Sequence, residues 1–345
     1  MSEGEGQRGE DGDRMPERRR QRTEDGGRRT EGRGQREGGR GNAGMPEYWN
    51  TGIRDRQKGE GLGDRSSPAI EVPLSRLGGS VRIFGGTGVG RVSKPGLEVA
   101  PGFPAVTPGP QTMIARAVED VLEHTRHRGP VAVEIFVPRG EAIARKTMNA
   151  RLGINGGISI LGTTGVVHPL SHAAYQASIL AGIRVAVAAG GETMALTTGR
   201  RSERFAQRLR PDLPEEAFLQ MGDFFQFAVK TAAEEGLQGI VLAMFWGKAV
   251  KMAQGFPHTH AAKSALSLQK LGEWAAALSG DAELVGRIQS ANTARHTFQL
   301  IQDQLPELID AVGTRIQKTA LCFGGDRLKV RVLILDFEGN PVFQG

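Results

Sequence analysis

Cysteine is all but absent. Cys322 is the single one in 345 residues, so no internal disulfide can form. Its setting, KTALCFGGD, reads as a buried small residue rather than a nucleophile. Aromatic residues are scarce at 6%, and none interrupts the Arg/Gly/Glu-rich stretch RRRQRTEDGGRRTEGRGQREGGRG. Without rings to stack on bases, and with acidic residues cancelling most of the positive field, that stretch reads as a linker or tail rather than a nucleic-acid arm. No apolar run is long enough to span a bilayer and no signal-peptide pattern is present, so a soluble cytoplasmic protein is expected. Catalytic signatures are missing too. No Ser/His/Asp or Cys/His arrangement stands out. Gly247-Lys248 is not a Walker A loop, because Leu242 stands where the first glycine belongs and Ala249 follows the lysine. Gly86, Gly88 and Gly90 give G-x-G-x-G, not the dinucleotide fingerprint.

Glycine is plentiful, at 49 residues, and positive charge is in modest excess, with 44 Lys plus Arg against 38 Asp plus Glu. Residues 1–66 hold 15 basic and 14 acidic side chains with almost no aliphatic ones. Such a segment cannot bury enough apolar surface to offset chain entropy, so it reads as disordered. It also resembles GC-rich DNA translated from a wrong start or frame, which makes it a candidate non-native segment.

Order is expected from Pro68. AIEVPL, SVRIFGG and PVAVEIFVP have strand length and apolar pattern, and QTMIARAVEDVLEHTRHRG has helix spacing. From about residue 150 the rhythm becomes strand, turn, helix. Ser171 is the expected cap of a helix over SHAAYQASILAGIRVAVAAG. ETMALTTG, LQGIVLAMF and RLKVRVLILDF read as apolar strands between helices. That alternation predicts a parallel, doubly wound sheet whose ligands bind at the carboxyl ends of its strands. The class is therefore α/β, with a first domain over 67–150 and a second over 151–345.

Three loops carry small and polar residues where such a sheet would bind a ligand. The stretch KTMNARLGINGGISILGTTGVVHPLS is unusually rich in glycine, which packs nothing and is entropically costly to order. Something must therefore approach its backbone closely. Its turn GTTG offers N–H groups and two hydroxyls to a carboxylate, ribose or phosphate. Candidate ligand contacts here are Asn149, Arg151, Gly156, Gly157, Gly162, Thr163, Thr164 and Gly165. TTG repeats the theme, with Thr197 and Gly199. In FWGKAVKMAQGFPHTH, Lys248 and Lys251 are three apart and share a helix face. Two cations there suit a carboxylate-rich ligand. Gly247, Thr259 and His260 join them as candidates. His258 and His260 form H-x-H, but no third ligand is evident and no metal site is expected. No catalytic acid, base or nucleophile can be named. A methyl transfer fits such a site, because it needs positioning and electrostatics more than acid–base groups.

These motifs resemble the CbiD family, cobalt-precorrin-5B C1-methyltransferases of anaerobic cobalamin biosynthesis. The resemblance rests on GEAIARKTMNARLGINGGISILGTTGVVHPLS, and on GGTGVGRVSKPGLEVAPGFPAVTPGP against the family's G-x-G-V-G-x-V-T-K-P-G-L. It continues through WGKAVKMAQGFPHTH and ANTA (291–294), and covers about residues 68–345. It implies S-adenosylmethionine as methyl donor and a small-molecule, carboxylate-rich cobalt corrinoid as acceptor, methylated at C1 to give cobalt-precorrin-6A. It also implies an α/β sandwich followed by a Rossmann-like domain. Lys248, Lys251 and Arg151 would neutralise acetate and propionate arms. No nucleic acid, membrane or resident metal is implied.

Two family features are missing here, an opening T-T-G-T-C-A-like segment and a D-D-P-D-V-T-like turn, and 1–66 stands in their place. Thr107 replaces Asn, Phe245-Trp246 stand where Gly-His is common, and His258 replaces Asn. Two other readings follow: a truncated, inactive relative that only binds corrinoid or cofactor, and a nucleic-acid-associated protein acting through its tail.

Overall fold

The structure is a computed structural model that describes residues 68–125, 127, 129–162, 164–166, 171–261 and 265–345. The expectations for residues 1–66 and for Thr163 lie outside those residues.

Strand β1 (Ile70–Pro73) pairs antiparallel with β2 (Ser80–Gly85), and β2 pairs parallel with β5 (Val131–Ile135). Helix α1 (Pro108–His124) has proline in its first turn, where a missing N–H costs nothing. It lays Ala115 against Leu74 and Val81 to close a small core. Two short strands, β3 (Gly88–Val89) and β4 (Arg91–Val92), interrupt the Gly/Pro-rich connection. They pair with β7 (Gly157–Ile158) and β6 (Ile154–Asn155). The glycine-rich stretch therefore returns to residues 88–92.

That return accounts for some of its glycine. Gly88 has φ +76°, and a Cβ there would overlap the Val137 carbonyl oxygen. A Cβ on Gly157, or on Gly140 at the start of α2 (Gly140–Ala144), would overlap the Gly88 carbonyl. Three chain segments meet here at a distance only glycine permits. What approaches this backbone is the protein's own chain.

The larger sheet has the order β12-β11-β10-β8-β9. Strands β8 (Thr193–Thr197), β9 (Phe218–Gln220), β10 (Gly239–Phe245) and β11 (Lys329–Leu335) run parallel. β12 (Pro341–Gln344) is an antiparallel edge. Side chains alternate between two buried faces. Met194, Leu196, Leu242 and Met244 join Ile183 of α3 (His172–Ala188), Val229 of α5 (Phe225–Glu234) and Ile316 of α10 (Glu307–Gly324). Ala195, Val241 and Ala243 join Ala206 of α4 (Arg200–Leu209). Helices on both faces explain why GIVLAMF is apolar throughout rather than alternating. Ser171 caps α3 as expected, accepting from the Ala174 N–H at 3.2 Å. The architecture is mixed α/β with several sheets.

Three details differ from the sequence reading. The stretch ANTARHTFQLIQDQLPELIDAVGTRIQKTAL, which reads as one long helical region, is divided into α9 (Ala294–Gln304) and α10, with α8 (Ala282–Gln289) ahead of it. The break falls at Leu305-Pro306, because proline lacks the N–H to continue a helix. β9 and β12 were not anticipated, being only 3 and 4 residues long. Cys322 is exposed on α10, not buried.

Candidate functional site

β10 runs straight into α6 (Trp246–Ala253), with Phe245 as the helix's N-cap. Trp246 is buried and donates its indole N–H to the Thr297 hydroxyl at 3.0 Å, tying α6 to α9. Gly247 permits the close approach of α9, since a Cβ there would stand 3.1 Å from the Ala294 Cβ. At the far end of α6, the Gln254 amide exchanges two hydrogen bonds with the backbone of Ser267, the N-cap of α7 (Leu268–Ser279). Between these ties lies a cleft of about 480 Å³, lined by Phe245, Gly247, Lys248, Lys251, Leu266 and the Asn292–Thr293 turn, among others. That volume is in the range of small-molecule sites.

The cleft's charge is set by four residues from three segments. The Lys248 ammonium pairs with the Asp223 carboxylate and donates to the Thr259 carbonyl at 3.0 Å. Lys251 donates to the same carbonyl at 3.2 Å. Thr259 is fully buried, and its hydroxyl donates to Asp223 Oδ1 at 2.9 Å. Burial pushes the Asp223 carboxyl up, but the Lys248 ammonium and the Thr259 hydroxyl outweigh it and hold the acid below its ordinary range. Burial, and then the neighbouring Lys248 charge, pull the Lys251 ammonium below an ordinary lysine, with Asp223 opposing. Lys248 is thus neutralised internally. Lys251 has no carboxylate within ion-pair distance among the described residues and is the net cation offered to a ligand.

Arg151 stands in a different arrangement. Its guanidinium grips Glu203 at 2.6 and 3.3 Å and also reaches Glu215 at 3.5 Å. Gln220 donates to Glu203 at 2.7 Å. Glu203 is buried, so this is an internal ion pair joining the glycine-rich stretch to α4. The Glu203 hydrogen bonds, only partly opposed by burial, raise the Arg151 pKa further.

The remaining sequence candidates are dispersed. The Asn149 amide donates to the Gly157 carbonyl at 3.1 Å. Gly156 and Gly162 have positive φ, with open space where a Cβ would be. The Thr164 hydroxyl accepts from the Val166 N–H at 3.2 Å, and Gly165 lies beside Met113. Thr197 is fully buried and donates to the Leu219 carbonyl at 3.3 Å. Gly199 is the extended N-cap of α4. His260 is exposed, and its N–H donates to His258 Nδ1 at 3.3 Å in an irregular loop. The cleft therefore gathers Gly247, Lys248 and Lys251, with Thr259 directly behind them. Sequence reasoning missed Asp223, Phe245 and Asn292. Asp223 follows the three-residue β9, too short to betray the strand end that positions it. The A-N-T-A turn did carry a signal, because Thr293 is a helix cap, accepting from the His296 N–H at 3.1 Å.

Comparison with known proteins gives this geometry a family. The CbiD family profile matches residues 66–169, and the profile described as "CbiD, C-terminal domain" matches residues 258–345. A protein of Nitratidesulfovibrio vulgaris named cobalt-precorrin-5B C(1)-methyltransferase is 45% identical over 260 residues, covering 75% of this chain and 67% of that protein. The chain belongs to the CbiD family. Relatives of the same name in Salinispora arenicola and Variovorax paradoxus are 44% and 41% identical, covering 68% and 74% of their own lengths and 75% and 78% of this chain. A crystal structure of a CbiD cobalamin biosynthesis protein from Archaeoglobus fulgidus is 28% identical over 52% of this chain and 53% of that one. Its TM-score of 0.22 carries no argument about fold. The lysine-lined cleft includes residues on both sides of the second profile's start at residue 258.

Proposed function

We propose that this CbiD protein methylates C1 of cobalt-precorrin-5B, using S-adenosylmethionine as donor and giving cobalt-precorrin-6A in cobalamin biosynthesis. The observation that carries the proposal is the cleft at the carboxyl end of β10, where Lys251 offers positive charge with no carboxylate in ion-pair distance among the described residues. It is joined by the names of relatives, one of them 45% identical over 260 aligned residues. Lys251, Lys248, Gly247 and Asn292 contact a ligand directly, and Thr259 holds both lysines from behind. Asn149, Arg151, Gly156, Gly157, Gly162, Thr164, Gly165, Thr197, Gly199 and His260 support the site or its edges. In the finer architecture, 67–150 is an α/β sandwich and 151–345 is Rossmann-like. No helix among the described residues is long and apolar enough to cross a membrane, and we place the enzyme in the cytoplasm.

The residues present fit both reactants. S-adenosylmethionine, when bound, supplies a methyl on a sulfonium, whose transfer needs no general acid. What the chain must supply is alignment and exclusion of water. Leu266 and Phe245 give the cleft apolar walls. Lys251 binds carboxylate, whether from the donor's amino-acid end or an acceptor arm. Asp223, bonded to Lys248 and Thr259, fixes the first turn of α6 so that the lysines meet the ligand already ordered. The test is calorimetric titration of the full chain with S-adenosylmethionine, followed by anaerobic methyl transfer to cobalt-precorrin-5B. Saturable binding and a mass gain of one methyl on the acceptor support the proposal. An acceptor left unmethylated by a cofactor-saturated protein overturns it.

A further inference from the structure

Next to the lysine cleft lies a surface of which the mechanism above uses only Phe245. Phe245, on the cleft wall, stacks against Phe337, with ring planes 6° apart and centroids 6.2 Å apart. Arg201, on α4, sits with its Cζ 5.2 Å from the Phe245 centroid and donates to the Phe337 carbonyl. Arg295, on α9, lies 4.6 Å over the Phe337 ring. Both arginines are exposed. Neither has an acid within ion-pair distance among the described residues. The contrast with Arg151, gripped by Glu203, is plain.

This platform is ordered before any ligand arrives. Phe337 belongs to the turn between β11 and β12, where Asp336 Oδ1 accepts from the Glu338, Gly339 and Asn340 N–H groups at 3.0, 2.6 and 2.7 Å. An arginine stacked on a ring keeps its planar fork directed while its outer N–H groups stay available. Such a fork takes a carboxylate bidentately, which a lysine cannot do. The adjoining cleft of about 480 Å³ has the size of a single small ligand. A tetrapyrrole-derived ring carrying acetate and propionate arms exceeds it, so most of the ring must lie across the mouth.

Resting on the functional reading above, we infer that Arg201 and Arg295 are positioning residues that grip two carboxylate arms of the acceptor. The Phe245–Phe337 pair supports the ring's apolar edge. The platform thereby orients the macrocycle over the lysine cleft and selects the acid form of the corrinoid over its amidated form.

The experiment titrates the full-length protein with two corrinoids, cobyrinic acid, whose arms are free carboxylates, and dicyanocobinamide, whose arms are amidated. The wild type should bind the acid and not the amide, with affinity falling as salt rises. Arg201→Ala and Arg295→Ala should each weaken acid binding about tenfold, with Arg295→Lys recovering only part of the loss. S-adenosylmethionine affinity should be unchanged. In turnover, KM for the acceptor should rise while kcat holds. Arg295→Ala alters only an exposed side chain of α9, so it tests the idea even if the Arg201 variant folds poorly. Equal acid affinity in wild type and Arg295→Ala overturns the inference and leaves the functional reading standing. A wild type that binds no cobyrinic acid overturns the inference and leaves the functional reading to the methyl-transfer assay. Equal binding of acid and amide by the wild type overturns the carboxylate grip alone.

Discussion

Two stretches of this chain are unusual in composition, and they come to opposite ends. In the glycine-rich stretch, the space beside Gly157 is filled by the chain itself at Gly88, and the Arg151 cation is met by Glu203, although Gly156 and Gly162 face open space. In the stretch that opens α6, Gly247 admits Ala294 but the space beyond stays open, and of two lysines only Lys248 is cancelled. Small residues and isolated cations therefore mark close approach in both places. What separates a structural joint from a binding cleft is whether the protein supplies its own partner.

The comparison is broken most severely at the joint. Gly88→Ala adds a Cβ against the Val137 carbonyl at a positive φ, and should cost roughly 3 kcal/mol, read as a lower denaturant midpoint. An unchanged midpoint would mean that the joint is not closed. Next comes the acid behind the cleft. Asp223→Ala leaves Lys248 without its partner in a site where the two side chains are 31% and 25% exposed. Breaking a fully buried pair costs more, so about 2 kcal/mol is expected in this half-open one, measured by thermal melting. The variant should also lower the Lys251 pKa further, since Asp223 opposes the lowering.

The third test is Lys251→Ala, expected to raise KM for an anionic ligand about tenfold, or 1.4 kcal/mol, with little loss of stability. The pH profile checks the cause. The folded Lys251 pKa is lowered, so its charge, and ligand affinity with it, is lost on the alkaline side earlier than for an ordinary lysine. Lys251→Arg should move that limb to higher pH. A limb unmoved by this substitution would assign the titration to another group. The smallest effect belongs to the platform's turn. Backbone and Asn340 donors outweigh burial and hold the Asp336 carboxyl below its ordinary range. Its contribution, of about 1 kcal/mol or less, is present above the unfolded value near 3.9 and is lost as pH falls through the lowered folded value. The melting difference between wild type and Asp336→Asn should therefore close on acidification.

Much of the fold was legible in the sequence. GIVLAMF and the VLIL half of KVRVLIL read as apolar strands because both their faces are covered, and Ser171 was recognisable as a cap. Short edge elements were not legible, because three or four residues cannot show a period. Of the candidate site, the lysine pair was visible from its spacing. The roles of Arg151 and Asp223 were not, because each depends on a partner far along the chain.

Local chemistry by itself therefore determined the strands and helices, the family motifs, and the placing of Lys248 and Lys251 on one helix face. Those properties depend on backbone geometry and neighbours within a few residues. Only the tertiary structure decided which cations are spent and which are free. Asp223 meets Lys248 across 25 residues, and Glu203 meets Arg151 across 52. Phe337 meets Arg201 across 136. Electrostatic partnership is a matter of distance in space, and only the packed sheet and its helices set those distances.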